Sequence, residues 1–380
     1  MPFKRRHPTA LMQDMYFSNR NGYVQLLRFA LLLVTMTMAA ANAAAVELES
    51  LYRVQVALDP EDPDARSNAY QTALNQVLVR VTGASDIAES AEFAEVFPVP
   101  ARYVLQYRPG DDNTLWISLD GPAIETVLRQ SGQTIWGKDR PLTLVWLAVD
   151  WGQGEREIVA ADDPNRIAGA SRSIDRNRLL RERVQATADR RGVPIAFPLL
   201  DAEDLENVSF SDIWGGFDQL LLQASSRYGA SSVLVGRVRP AMIQRNRWSH
   251  YLGDQERQWS GEPEDAINLL ADTLVAEFAI QSNAPAETVT LNISGVDSVV
   301  AYGSVQNVLQ HLSQVESFTL HSVSGDRIRY TVMVRGGTDR LSRALELSGM
   351  LEPGTGIAVG IDPLLFPQFD TLDFQYRPQR

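Results

Sequence analysis

The sequence predicts a mixed α/β and α+β protein built from three modules, and three observations carry that prediction. Short runs of alternating apolar and polar residues adjoin stretches with apolar residues at helical spacing. One run, residues 142–149 (LTLVWLAV), is apolar at almost every position, the mark of a strand covered on both faces. Finally, proline, glycine and asparagine clusters cut the chain near residues 136–141 and 282–286.

Residues 51–58 (LYRVQVAL) alternate and are rich in valine, so they read as a strand. The acidic, proline-bearing stretch 59–64 ends it and offers helix caps. Ala69, Ala73, Leu74, Val77, Leu78 and Val81 then recur at helical spacing until Gly83. Residues 101–107 and 115–119 read as two strands joined through Pro109 to Asn113, and 121–130 as a second helix. Residues 46–139 thus form an N-terminal α+β module.

Residues 140–281 form the central module. Strand 142–149 is followed by a helix over 175–191 that Gly192 and Pro194 stop, a strand over 194–200, a helix near 217–228 and a strand over 232–238. A β-α-β-α-β order calls for a three-layer sheet with helices on both faces. Residues 247–252 and 255–260 form a β-hairpin on Gly253-Asp254, and 264–281 a helix. The turn sets Leu252 opposite Gln255, His250 opposite Arg257 and Trp248 opposite Trp259.

The third module, residues 287–352, is a small two-layer β-α-β-β-α unit. It comprises a strand over 288–293, a helix over 302–312, strands over 318–323 and 327–334, and a closing helix over 338–347. The tail, 353–380, is proline and glycine rich and is expected to pack loosely.

Lys4, Arg5, Arg6, Arg20 and Arg28 precede an apolar run over 29–41 and the small residues 41–45, the order of a secretory signal over residues 1–43. Cleavage is expected between Ala43 and Ala44, with Val46 as the next choice of N-terminus and Met12 or Met15 as alternative starts. The competing reading is an uncleaved inner-membrane anchor over 29–46.

The chain of 380 residues carries a formal charge of −12, and removal of residues 1–43 deepens it to −16, because they hold five basic groups and one acid. So acidic a chain repels nucleic acid and anionic lipid, so nucleic acid is not an expected partner. There is no cysteine, which excludes disulfides, thiol catalysis and thiolate metal sites. Lysine is rare and arginine plentiful, read as compositional bias.

The stretches YRVQVAL, NAYQTALNQVLVRVTG, WGKDRPLTLVWLAVD, FPLLDAEDL, SDIWGGF and SSRYGASSVLVGRVR together resemble the proteobacterial family catalogued as domain of unknown function 2066. Residues 140–238 are also similar to TolB N-terminal and curli-secretion lipoprotein modules. The first likeness carries no known activity or catalytic residues, and the second implies a binding or assembly role in the cell envelope.

Four groups of residues are candidate sites. Asp150 and Asp201 follow strands and stand with Asp204 and Asp212 as a carboxylate cluster, fit for a divalent ion or acid/base work, or else for helix caps. Trp248 and Trp259, flanked by Arg245, Arg247 and Arg257, form either a core face or an exposed aromatic shelf. The helix bearing Arg172, Arg176, Arg178, Arg181, Arg183, Arg190 and Arg191 either receives an anionic partner or is a solvated face laced with pairs such as Arg178 with Glu182. The four histidines, His7, His250, His311 and His321, show no metal or nucleophile motif, and no phosphate loop or G-x-S-x-G elbow occurs.

These residues lead to the expectation of an exported periplasmic accessory module that uses no cofactor or metal and binds an envelope protein or glycan. The alternatives are a hydrolase of an envelope glycan or phosphoester using Asp150 and Asp201, and a purely structural adaptor.

Overall fold

The computed structural model of the protein describes residues 46–47, 51–87, 91–161, 172–281, 284–312, 314–354 and 370–377. The expected leader, with Ala43, Ala44 and His7, lies outside the described residues. Among those described, no helix is long and apolar enough to cross a membrane.

The N-terminal region runs β1 (Val46–Glu47), β2 (Arg53–Ala57), α1 (Ala65–Thr82), α2 (Ala91–Val96), β3 (Val104–Pro109), β4 (Thr114–Leu119), α3 (Gly121–Gln130), β5 (Thr134–Ile135) and β6 (Asp139–Arg140). Strands β2, β4 and β3 form an antiparallel sheet in that order. Val54, Val56, Leu115, Ile117 and Leu119 point from it into a core shared with Leu74, Val77, Leu78 and Val81 of α1. Helix α1 ends where Gly83 turns left-handed (φ 74°) and returns its N–H to the Val79 carbonyl. Helix α3 begins where the Asp120 carboxylate accepts from the Ala123 N–H at 3.0 Å.

The middle region holds β7 (Thr143–Gly152), β8 (Glu155–Ile158), α4 (Arg172–Arg191), β9 (Ile195–Ala196), α5 (Ala202–Asn207), α6 (Phe210–Gly215), α7 (Asp218–Ser225), β10 (Ser232–Val238), β11 (Arg247–Leu252), β12 (Gln255–Trp259), α8 (Pro263–Phe278) and β13 (Ile280–Gln281). The sheet order is β12-β11-β10-β7-β8, with β9 also on β7; β10 and β9 run parallel to β7. Val145, Leu147 and Val149 pack under α4 and α8. Leu144, Trp146 and Ala148 pack on the opposite face with Val208, Ile213 and Leu221 from the α5–α7 side. Two apolar faces on one strand therefore produce the three layers, and β7 is buried from Thr143 through Val149.

Three details depart from the sequence reading. Strand β7 continues through Asp150 and turns back as β8 through Gln153 and Gly154, both left-handed (φ 55° and 87°), a hairpin the sequence reading lacked. The strand expected over 194–200 shrinks to β9, because Pro198 has no N–H for the ladder and Leu200 turns left-handed (φ 51°). Helices α5 and α6 fill the gap before α7, each opened by a side-chain cap.

The C-terminal region comprises β14 (Ala286–Ser294), α9 (Val299–His311), β15 (Val315–Ser324), β16 (Arg327–Arg335), α10 (Thr338–Leu347), β17 (Leu351–Pro353) and β18 (Asp370–Tyr376). Its sheet order is β15-β16-β14-β18-β17. The tail expected to pack loosely instead supplies β18, paired in parallel with β14 and carrying Phe374 into the core. Pairing the second edge of β14 from Val289 to Ser294 satisfies backbone donors and acceptors there, which the five-element expectation left open.

Arginines tie the three regions together at helix C-termini. Arg140, fully buried, donates to the carbonyls of Arg80 (2.7 Å), Trp136 (2.8 Å), Gly137 (2.8 Å) and Gly192 (2.5 Å), with its guanidinium 3.9 Å from the Trp136 ring centroid. Burial pushes its pKa down to about 9. Arg191 reaches the Gly83 carbonyl at 2.9 Å, and Arg80 the Asp189 carbonyl at 2.8 Å. The C-termini of α1 and α4, each carrying partial negative charge, thus meet around three guanidiniums. Arg340 repeats the device, donating from α10 to the Ala279 carbonyl beyond α8 at 2.6 Å.

Candidate functional site

The four carboxylates of the expected cluster fall into three separate settings. Asp201 is the N-cap of α5, accepting from the Asp204 N–H at 3.1 Å. Its two oxygens also accept from Arg227 at 2.8 and 2.7 Å. That guanidinium, with the backbone bond, holds the Asp201 carboxyl well below the usual carboxylate range. Asp204 is 1% exposed and accepts from Arg227 (3.0 Å), the Leu200 N–H (2.8 Å) and the Tyr228 hydroxyl. Burial first, and the bond to Asp204 second, push the Tyr228 hydroxyl pKa up. Asp212 closes a capping box with Ser209 at the start of α6. Among the described residues, no group of three or more histidine or acidic side chains is placed to hold a metal ion.

Asp150 stands apart from them. Strand register places it beside Arg156 of β8, and Arg239 directly follows the β10 residue paired with Val149. Its Oδ2 lies 3.7 Å from Arg156 Nε and 3.8 Å from Arg239 Nε, while Oδ1 accepts from the Gly152 N–H at 3.1 Å. Beneath this row are two rings of α6, Phe210 and Trp214, four residues apart and therefore on one helix face. They stack at 5.1 Å between centroids. The Arg156 guanidinium lies 5.9 Å from the Phe210 centroid and that of Arg239 4.5 Å from the Trp214 centroid. The row sits at the carboxyl ends of β7 and β10, the edge at which parallel sheets take their ligands.

The hairpin register is Trp248 opposite Trp259, His250 opposite Arg257 and Leu252 opposite Gln255. Trp248 is 1% exposed within the core beneath α8 and donates from Nε1 to the Gly261 carbonyl at 3.1 Å; Trp259 packs half-buried against the same core. Arg247 donates to the Gln244 and Asn246 carbonyls, and Arg257 is exposed. The hairpin tryptophans therefore face inward, and no open shelf forms.

The basic helix α4 is laced with partners. Arg176 pairs with Glu155 over the Trp151 ring, Arg178 with Glu182 (2.9 Å), Arg183 with Glu264 (2.6 Å) and Arg191 with Asp272 (2.5 Å). Arg181 donates to the Ala160 carbonyl and Arg190 to Thr187. The Arg172 and His311 side chains lie outside the described residues, and His321 is exposed on β15.

Sequence reasoning missed a buried chain in which Thr143 donates to Ser232 at 2.8 Å and Ser232 meets His250 Nε2 at 2.9 Å. Burial, with Arg257 opposite, lowers the His250 pKa to about 4. All three residues are at most 1% exposed, so this Ser-His contact is part of the core. Arg156, Arg239, Phe210 and Trp214 were missed as well. The strand-end rule that singled out Asp150 would also have reached Arg239, and the spacing of Phe210 and Trp214 marks one helix face.

The model of a domain of unknown function (DUF8605) matches residues 45–137, the N-terminal region, so the chain carries a domain of unknown function. The matched family differs in number from the one the sequence texture resembles. No curated protein matches the chain.

Proposed function

We propose that this chain is an exported envelope module that binds a partner instead of transforming a substrate. One observation carries the reading: Asp201, Asp204 and Asp212 are committed to helix caps and to Arg227, while the Asp150 row keeps two partly exposed guanidiniums over the half-buried Phe210 and Trp214 rings. A glycosidase-type hydrolase needs one carboxyl that is protonated at working pH. Arg227 holds Asp201 in the opposite state. The likeness to the 2066 family and, for the middle region, to TolB N-terminal and curli-secretion modules belongs to this proposal. So does the expected periplasmic location.

The test is capture from crosslinked bacterial envelopes by the tagged full chain. A specific protein or glycan partner is expected, and Asp150→Asn with Asp201→Asn should not weaken its capture. Loss of the cellular role in that double variant, with an unchanged melting curve, would favour the hydrolase. So would a rise in melting temperature with Ca²⁺, Mg²⁺, Mn²⁺ or Zn²⁺. An intact mass beginning at Ala44 or Val46 would support export with cleavage; retention of Phe29 would support the membrane anchor.

A further inference from the structure

We propose that Arg156 and Arg239 form an oxyanion site for a phosphate monoester, such as a phosphorylated sugar. The inference rests on the binding-module reading and names the ligand chemistry of that module's row. Two guanidiniums and one carboxylate leave a local excess of positive charge in a chain of net charge −12. Asp150 satisfies neither arginine: both nitrogens stand at 3.7 to 3.8 Å from one oxygen, beyond hydrogen-bond range. Among the described residues neither guanidinium makes any other ion pair, and neither donates a hydrogen bond within 3.5 Å.

Both nitrogens flank one position, the one Asp150 Oδ2 now fills, so an oxyanion that displaces this carboxylate would meet both guanidiniums. A guanidinium fork matches phosphate oxygens in pairs, and two forks match a dianion better than a monoanion. The aromatic base fixes the forks from below. Trp214 and Phe210 lie against the guanidiniums at 4.5 and 5.9 Å from their ring centroids and hold the two cations by cation–π attraction. Arg156 and Arg239 keep 58% and 35% of their side-chain surface exposed, which leaves them reachable. Asp150 acts as a resident counter-ion that keeps the two cations side by side until a stronger anion arrives.

That role gives a signature that a structural ion pair would not. Removing the Asp150 charge while keeping its shape should tighten phosphate binding, because the ligand then has no competitor. The experiment titrates the full chain at low ionic strength with inorganic phosphate and with glucose 1-phosphate, read by calorimetry and ³¹P line width. Saturable binding of either ligand supports the site, and tighter binding of glucose 1-phosphate places a sugar against the rings. Arg156→Gln and Arg239→Gln should each weaken binding about tenfold, Asp150→Asn should tighten it several-fold, and Arg178→Gln should leave it unchanged. Melting curves certify that each variant is folded.

The site is overturned if neither phosphate saturates the parent, if Arg156→Gln and Arg239→Gln bind like the parent, or if Asp150→Asn binds more weakly. Envelope capture separates this from the broader reading. Failure of the phosphate titration with capture intact overturns the oxyanion site and leaves the binding module standing; phosphate binding with no capture by the folded full chain supports the site and overturns the broader reading.

Discussion

The Asp204 and Asp150 surroundings use the same residue types, aspartate with arginine and an aromatic neighbour, to opposite ends. Around Asp204 every partner closes in: Arg227 is shared with Asp201, Tyr228 donates from one side and the Leu200 N–H from another, and the carboxylate is shut from water. Around Asp150 the arginines stay at arm's length and half in solvent. A buried polar group tolerates only complete satisfaction, whereas an exposed one can leave donors for an incoming ligand. The first arrangement stabilises the fold, and the second is free to bind.

The largest effect that would break this contrast lies at Asp204. Asp204→Ala strands the Tyr228 hydroxyl, the Leu200 N–H and part of Arg227, and should cost about 3 to 5 kcal/mol in chemical denaturation, as removal of one partner of a buried charged network does. A cost near zero would mean that the cluster is as loose as the Asp150 row.

His250 extends the rule to a group buried as a neutral side chain. Its native pKa is about 4 against an ordinary 6.5, so the folded state binds fewer protons than the unfolded one between those values. Stability is therefore complete above pH 6.5, declines as the pH falls, and levels off below about 4 after losing about 3 kcal/mol. His250→Leu should flatten that slope, and denaturation midpoints followed from pH 8 to 4 would show whether it does.

A smaller effect is expected at the cap beneath the open row. Ser209→Ala removes half of the capping box that starts α6, the helix carrying Phe210 and Trp214, and should cost about 1 kcal/mol. If it also weakens phosphate binding, the aromatic base positions the guanidiniums. Smallest of all, Asp150→Asn should change stability by no more than about 0.5 kcal/mol, because two long, exposed ion pairs contribute little. A loss of several kcal/mol in the melting analysis would turn the Asp150 row into a structural network like that of Asp204.

Much of the local architecture was written in the sequence. The spacing of Ala69, Leu74, Val77 and Val81 up to Gly83 reports α1, and the two-residue turn at Gly253-Asp254 dictates the pairing of Trp248 with Trp259. These signals are local: a helical repeat or a tight turn constrains residues a few positions apart, where the geometry has few solutions. The doubly apolar run of β7 likewise announced helices on both faces of its sheet.

Tertiary structure alone decided the rest, because it depends on which distant segments come to lie side by side. Nothing near residues 370–376 announces that they complete a sheet beside β14, across an intervening stretch of more than seventy residues. Asp150, Arg156 and Arg239 meet only because β8, β7 and β10 are neighbours in register, while Phe210 and Trp214 arrive on a helix between the last two strands in sequence. The same holds for Arg140, whose four carbonyl partners come from three stretches of chain. Periodicity tells which face of an element is apolar, but the charge balance at a point depends on how the packed elements converge there.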